Sequence, residues 1–384
     1  MPGLFNSPFW SRGFRPFFFL GAIQSIVSIL LWGGVYAGYI LPSGYWMDPV
    51  SWHVHEMIYG FVVAIVAGFL LTAVANWTGG APVREIHLIV LVLIWSLGRI
   101  FVSFDVGLPK AIQILGVTLF VPCLTISLMI PLMRSWSKRN FIFLILLCIL
   151  FGCDIWFLIS TDMRAMHMAL FMILAMVSLI GGRVIPAFTV AALRRRGIVV
   201  YQTNQNRLDV MAWLSLLVVA VAVTLSEKGV LLGVTAGGSC LIHALRMRYY
   251  HTLRVWSDPL SWILHIGYSW LVLGLGSLSL AGFRYINTTI AIHVLTVGCI
   301  GSMILGMMCR VTLGHTGRNL KISGATIFSF ILMQIAVFIR ILGPILIPQH
   351  TVVWIGLTAC LWGVCFSLFL VCFGPILFAK SFDQ

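Results

Sequence analysis

The sequence predicts an all-α integral membrane protein, a polytopic bundle of about twelve transmembrane helices. Hydrophobic residues make up 60% of the 384 positions and charged residues only 9%, with a mean hydropathy of +1.05. Soluble domains carry nearer about a quarter charged residues. Apolar runs of roughly 17–25 residues, long enough to cross the hydrocarbon core, recur along the whole chain. Each run must be helical, because no water inside a bilayer can satisfy an exposed backbone amide.

Twelve apolar segments follow one another with short connections, which predicts one transmembrane domain over 1–384. The first segment is too long for the apolar region of a cleavable signal and is predicted to stay in the membrane. The predicted spans are 17–39, 58–76, 86–104, 111–133, 141–160, 165–190, 208–226, 229–245, 260–281, 290–313, 323–347 and 351–377.

The positive charge indicates topology rather than a nucleic-acid partner. The formal net charge is +14, and most lysines and arginines fall in the connections on the side of the N-terminus. The run Arg194–Arg196 is the densest of these clusters. Because positive charge stays cytoplasmic in short loops, both termini are predicted to lie inside the cell. No nucleic acid is expected to bind.

Three predicted spans share a pattern of polar residues at both ends. The second, sixth and tenth spans run in the same direction and begin near His53 and His55, His167 and His293 respectively. They end in "NWTGG" (76–80), "GGRVIPAFT" (181–189) and "RVTLGHTGR" (310–318). Three parallel four-helix repeats would produce this spacing. Chance placement of ordinary interfacial residues is the alternative.

Histidines gathered at one depth in a membrane indicate a metal or haem site. A neutral imidazole offers a nitrogen lone pair to copper, iron or zinc, and polar groups in hydrocarbon are costly without such a purpose. His53, His55, His167 and His293 form the predicted outer layer, where Glu56 can orient a ring. Only Asp154 lies within a predicted span and Glu56 stands just outside one, so magnesium, calcium and proton-coupled transport are disfavoured.

A second, inner layer contains His265 and His315 together with Arg183 and Arg310. Arginine there can hold haem propionates through paired hydrogen bonds. The competing interpretation is an arginine that extends its head to the lipid headgroups. The remaining histidines are interpreted as interfacial or hydrogen-bonded residues: His87, His243, His251 and His350.

Three motifs in order resemble the NnrS family of bacterial inner-membrane proteins. They are "WHVHEM…GFVVAIVAGFLLTAVANWTG" (52–79), "GGRVIPAFT" (181–189) and "HVLTVGCIGSMILGMMCRVTLGHTGR" (293–318). The resemblance implies a multi-pass protein of the bacterial inner membrane that contains haem and copper and protects against nitrosative stress. On that basis the following residues look like the histidines and accompanying arginines of the family's motifs: His53, His55, His167, His265, His293, His315, Arg183 and Arg310.

The expected function is therefore to bind or reduce nitric oxide at a haem, which is expected to be of the b type. His167 and His293 are the predicted haem-iron ligands, facing each other from two helices. The pair His53 and His55 suits copper, with Glu56 beside it, and His265 and His315 suit a second site. Quinol is a candidate electron donor, which would make the protein an oxidoreductase, and no catalytic residue is assigned. Two alternatives stay open: a transporter of a metal or nitrosylated iron species, and a non-catalytic haem-based sensor.

Overall fold

A computed structural model describes residues 7–40 and 47–382. Every regular element within these residues is helical, and twelve helices are long and apolar enough to cross a membrane. The predicted all-α polytopic architecture is confirmed. The helices are α1 Phe14–Tyr36, α2 Pro49–Thr78, α3 Glu85–Ser103, α4 Lys110–Arg134, α5 Lys138–Ser160, α6 Met163–Arg195, α7 Asn206–Leu225, α8 Val230–Met247, α9 Pro259–Gly282, α10 Thr288–Gly314, α11 Gly324–Leu346 and α12 Pro348–Phe378.

The chain divides into two compact units. The first unit comprises 1–169, 311–320 and 362–384, and within it α2 packs against α1 and α4. The second unit comprises 170–310 and 321–361, and within it α8 packs between α7 and α9. The prediction of a single domain over the whole chain stays a prediction.

Helix α2 begins nine residues before the predicted start of the second span, at Pro49 rather than 58. The side chain of Asp48 accepts hydrogen bonds from the backbone N–H groups of Val50 and Ser51, at 3.0 and 3.1 Å, and so caps the helix. A capping carboxylate followed by proline at the first helical position is a strong start signal. The segment "WHVHEM" therefore lies inside the helix, and the expectation that Glu56 stands outside a span is wrong.

Helices α2 and α10 share an uncommon internal irregularity. Each runs as an α-helix up to a histidine, His55 or His293, and then becomes a π-helix over Glu56–Val62 or Val294–Gly301. π-Helical turns are rare and concentrate at functional sites. The sequence carries the correspondence as "HEMIYG" (55–60) and "HVLTVG" (293–298), in which glycine follows histidine by five positions. The likeness of the two helices supports the repeat hypothesis, which stays a prediction.

Arg15, at the start of α1, contacts the C-terminal end of α12. The guanidinium of Arg15 donates to the carbonyls of Leu377 and Ala379, both at 2.7 Å, and to Ser381 Oγ at 2.9 Å. The last carbonyls of a helix lack partners within the helix, so a cation there satisfies them and opposes the helix dipole. Arg15 is buried, whereas the sequence placed it in a cytoplasmic loop.

Candidate functional site

A buried charged cluster surrounds His55 in the first unit. Its Nδ1 lies 3.1 Å from Glu56 Oε1 and its Nε2 lies 3.0 Å from Asp154 Oδ1. Glu56 also accepts hydrogen bonds from the Arg99 guanidinium and, at 2.6 Å, from Gln24 Nε2. Helices α1, α2, α3 and α5 each contribute one or more of these side chains. We call these five residues the His55 cluster.

The His55 cluster balances its own charge when the imidazole is protonated. Both ring nitrogens of His55 face carboxylate oxygens, which only accept hydrogen bonds when ionised. A neutral ring could donate from one nitrogen only, whereas an imidazolium donates from both. Two carboxylates are then matched by His55 and Arg99, so the cluster carries no net charge. Buried charges persist when they are paired and hydrogen-bonded in this way.

Glycine and aromatic residues make room for the His55 cluster. A Cβ added at Gly60 would lie 2.9 Å from Glu56 Oε2 and 3.2 Å from Arg99 Nη1, so a larger residue would displace the charged groups. The indole of Trp95 donates to the Gly60 carbonyl at 3.1 Å. The hydroxyl of Tyr59 donates to the Leu150 carbonyl at 2.8 Å. The π-helical turn thus supplies both a charged residue and the space beside it.

A second buried polar cluster surrounds Arg246 in the second unit. The guanidinium contacts Asp209 Oδ1 at 2.7 Å and donates to the Ser178 carbonyl and to the Tyr268 hydroxyl, each at 3.0 Å. His243 Nε2 donates its proton to the Ala212 carbonyl at 3.1 Å, so its Nδ1 is an acceptor. The Tyr268 hydroxyl therefore donates to His243 Nδ1 at 2.8 Å. We call these side chains the Arg246 cluster. The interpretation of His243 as a hydrogen-bonded residue is confirmed.

The second glycine of the motif at 181–189, Gly182, is explained by the Arg246 cluster. A Cβ added at Gly182 would lie 1.6 Å from Arg246 Nη2, so the guanidinium rests directly on the backbone of α6. No side chain other than hydrogen fits between them. Each unit therefore buries an arginine against a helical glycine, Arg99 at Gly60 and Arg246 at Gly182.

His293 lies at the last position of the first α-helical segment of α10. Its Nδ1 donates to the Thr289 carbonyl at 2.7 Å, which leaves the lone pair on Nε2. That lone pair accepts a hydrogen bond from Arg340 Nη2 of α11 at 3.1 Å. The ring orientation is thereby fixed by the backbone of its own helix.

The predicted inner-layer histidines each have a defined hydrogen-bonding state. The Thr189 hydroxyl donates its proton to the Ile185 carbonyl, so its oxygen accepts a hydrogen bond from His265 Nε2 at 2.8 Å. His265 Nδ1 then has no proton and accepts a hydrogen bond from the Thr252 hydroxyl at 3.0 Å. In the first unit, His315 Nδ1 accepts from Arg12 Nη1 at 3.2 Å. Burial, and then the Arg12 cation, lower the pKa of His315 below its usual value, so this ring is neutral at neutral pH.

The chain was compared with known protein families and with curated proteins. It matches the sequence model described as NnrS protein over residues 8–381. The chain belongs to the NnrS family. No curated protein matches it. The family assignment made from the three motifs is therefore confirmed, and it covers nearly the whole NnrS chain.

The arrangement in this NnrS protein does not fit a copper site that uses His55 and Glu56 as ligands. Both His55 nitrogens already face carboxylates and Glu56 is engaged by Arg99. His53 stacks on Trp32 with ring centroids 4.5 Å apart, and Trp32 lines a shallow surface indentation together with Val35, Pro49 and Trp52. The described part of the chain holds no group of three or more histidine, cysteine, aspartate or glutamate side chains placed to bind one metal ion. Copper binding at this position stays a prediction that the geometry does not favour.

His293 fits a haem-iron ligand better than the other predicted histidines. Imidazoles that bind metals commonly donate their second ring N–H to a carbonyl or carboxylate, as His293 Nδ1 does to Thr289. Its Nε2 would become available if Arg340 moved aside. His167, five residues after Asp162 near the start of α6, is half-buried. That His167 and His293 face each other stays a prediction.

Sequence reasoning missed the partners of His55 and the whole Arg246 cluster. Arg99 lies in the predicted span 86–104 and Asp154 in the predicted span 141–160, and an intramembrane charge implies an opposite charge nearby. Gln24 is an isolated polar residue in an apolar helix, which is the same kind of signal. The sequence did not show which of these side chains contact one another, because they come from four different helices.

Proposed function

We propose that this NnrS protein binds haem within the membrane and uses it to bind or reduce nitric oxide. Membership of the family over nearly the whole chain is the observation that carries the proposal. The geometry of His293 supports it, since the ring is oriented by its own helix and presents Nε2 to Arg340. A bound haem would supply an iron that takes up nitric oxide and, with an electron donor such as quinol, can reduce it.

The protein's own residues would position the cofactor and exclude water. His293 is the leading ligand, with Nδ1 held by Thr289, and His167 is the predicted second ligand. Arg340 would have to release His293 Nε2 on loading. The apolar helices around the site favour an uncharged diatomic gas over water and ions. Copper is retained as a weaker part of the proposal, with His53 as its remaining candidate ligand.

The test is an absorption spectrum and metal analysis of detergent-purified protein. We expect a Soret band that shifts when nitric oxide is added. His293→Ala should lower haem affinity at least about tenfold, since changes even at residues that only support a ligand cost that much. His350→Ala is the matched control, because His350 is exposed in the short 3₁₀ segment that begins α12 and should leave the spectrum unchanged.

The alternative functions give different results in the same preparation. A folded, colourless protein without metal would contradict haem binding and favour a transporter. A Soret band that responds to nitric oxide without turnover by any electron donor would favour a sensor. A haem spectrum that survives His293→Ala would contradict the ligand assignment alone.

A further inference from the structure

Four arginines are buried in the described part of the chain, and three of them have clear partners. Their exposed fractions are 1% for Arg15, 8% for Arg99, 2% for Arg246 and 5% for Arg310. Arg15 caps α12, Arg99 contacts Glu56, and Arg246 contacts Asp209. Arg310 is the exception.

The Arg310 guanidinium makes no hydrogen bond and no ion pair with any described residue. Its Nη1 is fully buried without a partner. Its carbon centre lies 3.7 Å from the centroid of the Phe188 ring, so one flat face of the group is covered by an aromatic side chain. The ring provides cation–π attraction but accepts none of the five N–H donors. A buried cation without an acceptor is strongly unfavourable.

The charges around Arg310 leave an excess of positive charge. Arg195 and Asp258 are the ionised side chains that act on it electrostatically. Asp258 already accepts from Ser261 Oγ at 2.6 Å and lies 3.6 Å from Arg195 Nη2. This one carboxylate therefore contacts Arg195 and acts on Arg310 only at longer range. The side chains of Arg195 and Asp258 are 48% and 17% exposed, so this position opens towards the surface.

We propose that Arg310 forms the inner part of a binding site for an oxyanion, a carboxylate or a phosphate group. A guanidinium binds such groups through two parallel N–H donors along its edge. With Phe188 on its face, that edge is what Arg310 leaves available. Arg195 would contact the same anion from the more exposed side, and the anion would neutralise the unmatched charge.

The anion can come from two sources with the same chemistry. A phospholipid headgroup or inorganic phosphate would make the site independent of any cofactor. A haem propionate would make it part of the haem site, and that case alone rests on the proposed function. The experiment therefore includes both sources.

The test is thermal unfolding of the purified full-length protein in neutral detergent, with and without added anion. The variants are Arg310→Gln and, as matched control, Arg248→Gln, which removes an exposed charge that donates a hydrogen bond to the Tyr249 hydroxyl and lies over its ring. Without anion, Arg310→Gln should be at least as stable as the native protein. Inorganic phosphate or phosphatidylglycerol should raise the melting temperature of the native protein and of Arg248→Gln, and leave Arg310→Gln unchanged.

Two further comparisons separate the sources and the outcomes. Haem dimethyl ester is haem whose two propionates are blocked. If haem stabilises the native protein but haem dimethyl ester does not, and if Arg310→Gln removes that difference, the anion is a propionate. If phosphate or phosphatidylglycerol acts without haem, the site stands even where the proposed function fails. An Arg310→Gln variant that responds to every anion as the native protein does, or a native protein that responds to none, overturns the inference.

Discussion

At the scale of single residues, the environment of a side chain decides its chemistry more than its type does. His55 and His293 occupy corresponding positions before a π-helical turn, yet one faces two carboxylates and the other a carbonyl and an arginine. The first arrangement holds an imidazolium and the second a neutral ring with one lone pair. Only the second resembles an imidazole prepared for iron.

The ion pair of Arg99 and Glu56 should contribute strongly to stability because its partners are buried. Arg99→Gln would leave Glu56 as an uncompensated buried charge, and we expect a loss of about 3–5 kcal/mol in unfolding free energy. Thermal unfolding in detergent measures the loss. Arg164→Gln is the control, since its ion pair with Asp162 is exposed and should be worth at most about 1 kcal/mol.

The double variant Glu56→Gln with Arg99→Gln tests the cause of that loss. Replacing both charges removes the unpaired carboxylate, so part of the stability lost in Arg99→Gln should return. Equal effects of Arg99→Gln and Arg164→Gln would show that burial gives the pair no special weight.

At the scale of helices, close contact between a backbone and a charged group decides where glycine is needed. Gly182 of α6 lies under Arg246, whereas a Cβ at Gly238 of α8 would meet no atom within 4 Å. Both glycines are helical and both belong to the second unit, so they form a matched pair. The difference between them lies in packing and not in backbone conformation.

Gly182→Ala should therefore destabilise the protein while Gly238→Ala should not. Forcing a methyl group into an occupied space typically costs about 1–3 kcal/mol. Alanine at the open position should instead stabilise α8 by about 0.5–1 kcal/mol, because glycine loses more backbone freedom on folding. Melting temperatures of the two variants in detergent test this. A Gly182→Ala protein as stable as the native one would mean that Arg246 has room to move.

At the scale of the whole molecule, the number of spans and the placement of charge predict the topology. If each of the twelve apolar helices crosses the membrane, both ends of the chain lie on the same side. The connections 196–205 and 248–258, which contain Arg196, Arg248 and Arg254, would then fall on that side, and the short turn 226–229 on the other.

A reporter that fluoresces only in the cytoplasm should distinguish the two sides. Fused after Gln384 or within 248–258 it should be bright, and within 226–229 it should be dark, because positive loops stay inside. Protease protection of the same fusions is the independent check. Equal fluorescence at 226–229 and 248–258 would contradict either the span count or the orientation.

The sequence predicted the helical class, the twelve spans and the family. It did not predict some helix boundaries or which charged side chains contact one another. Hydropathy locates lipid-facing segments well because it averages over many residues. It failed at the start of α2, since "WHVHEM" is polar in sequence yet buried among partners from other helices. The same reason hid the links from Asp154 to His55 and from Asp209 to Arg246.

By itself, the sequence predicted about twelve membrane-spanning helices, which the structure confirms, and loops whose positive charge is concentrated on one side. Composition and spacing suffice for that, because the cost of placing polar groups in lipid acts on each segment separately. Tertiary structure alone decided which polar groups neutralise one another and which, like Arg310 Nη1, are buried without a hydrogen-bond partner among the described residues. Those outcomes depend on contacts of a few ångströms between residues far apart in the chain, and no local pattern records them.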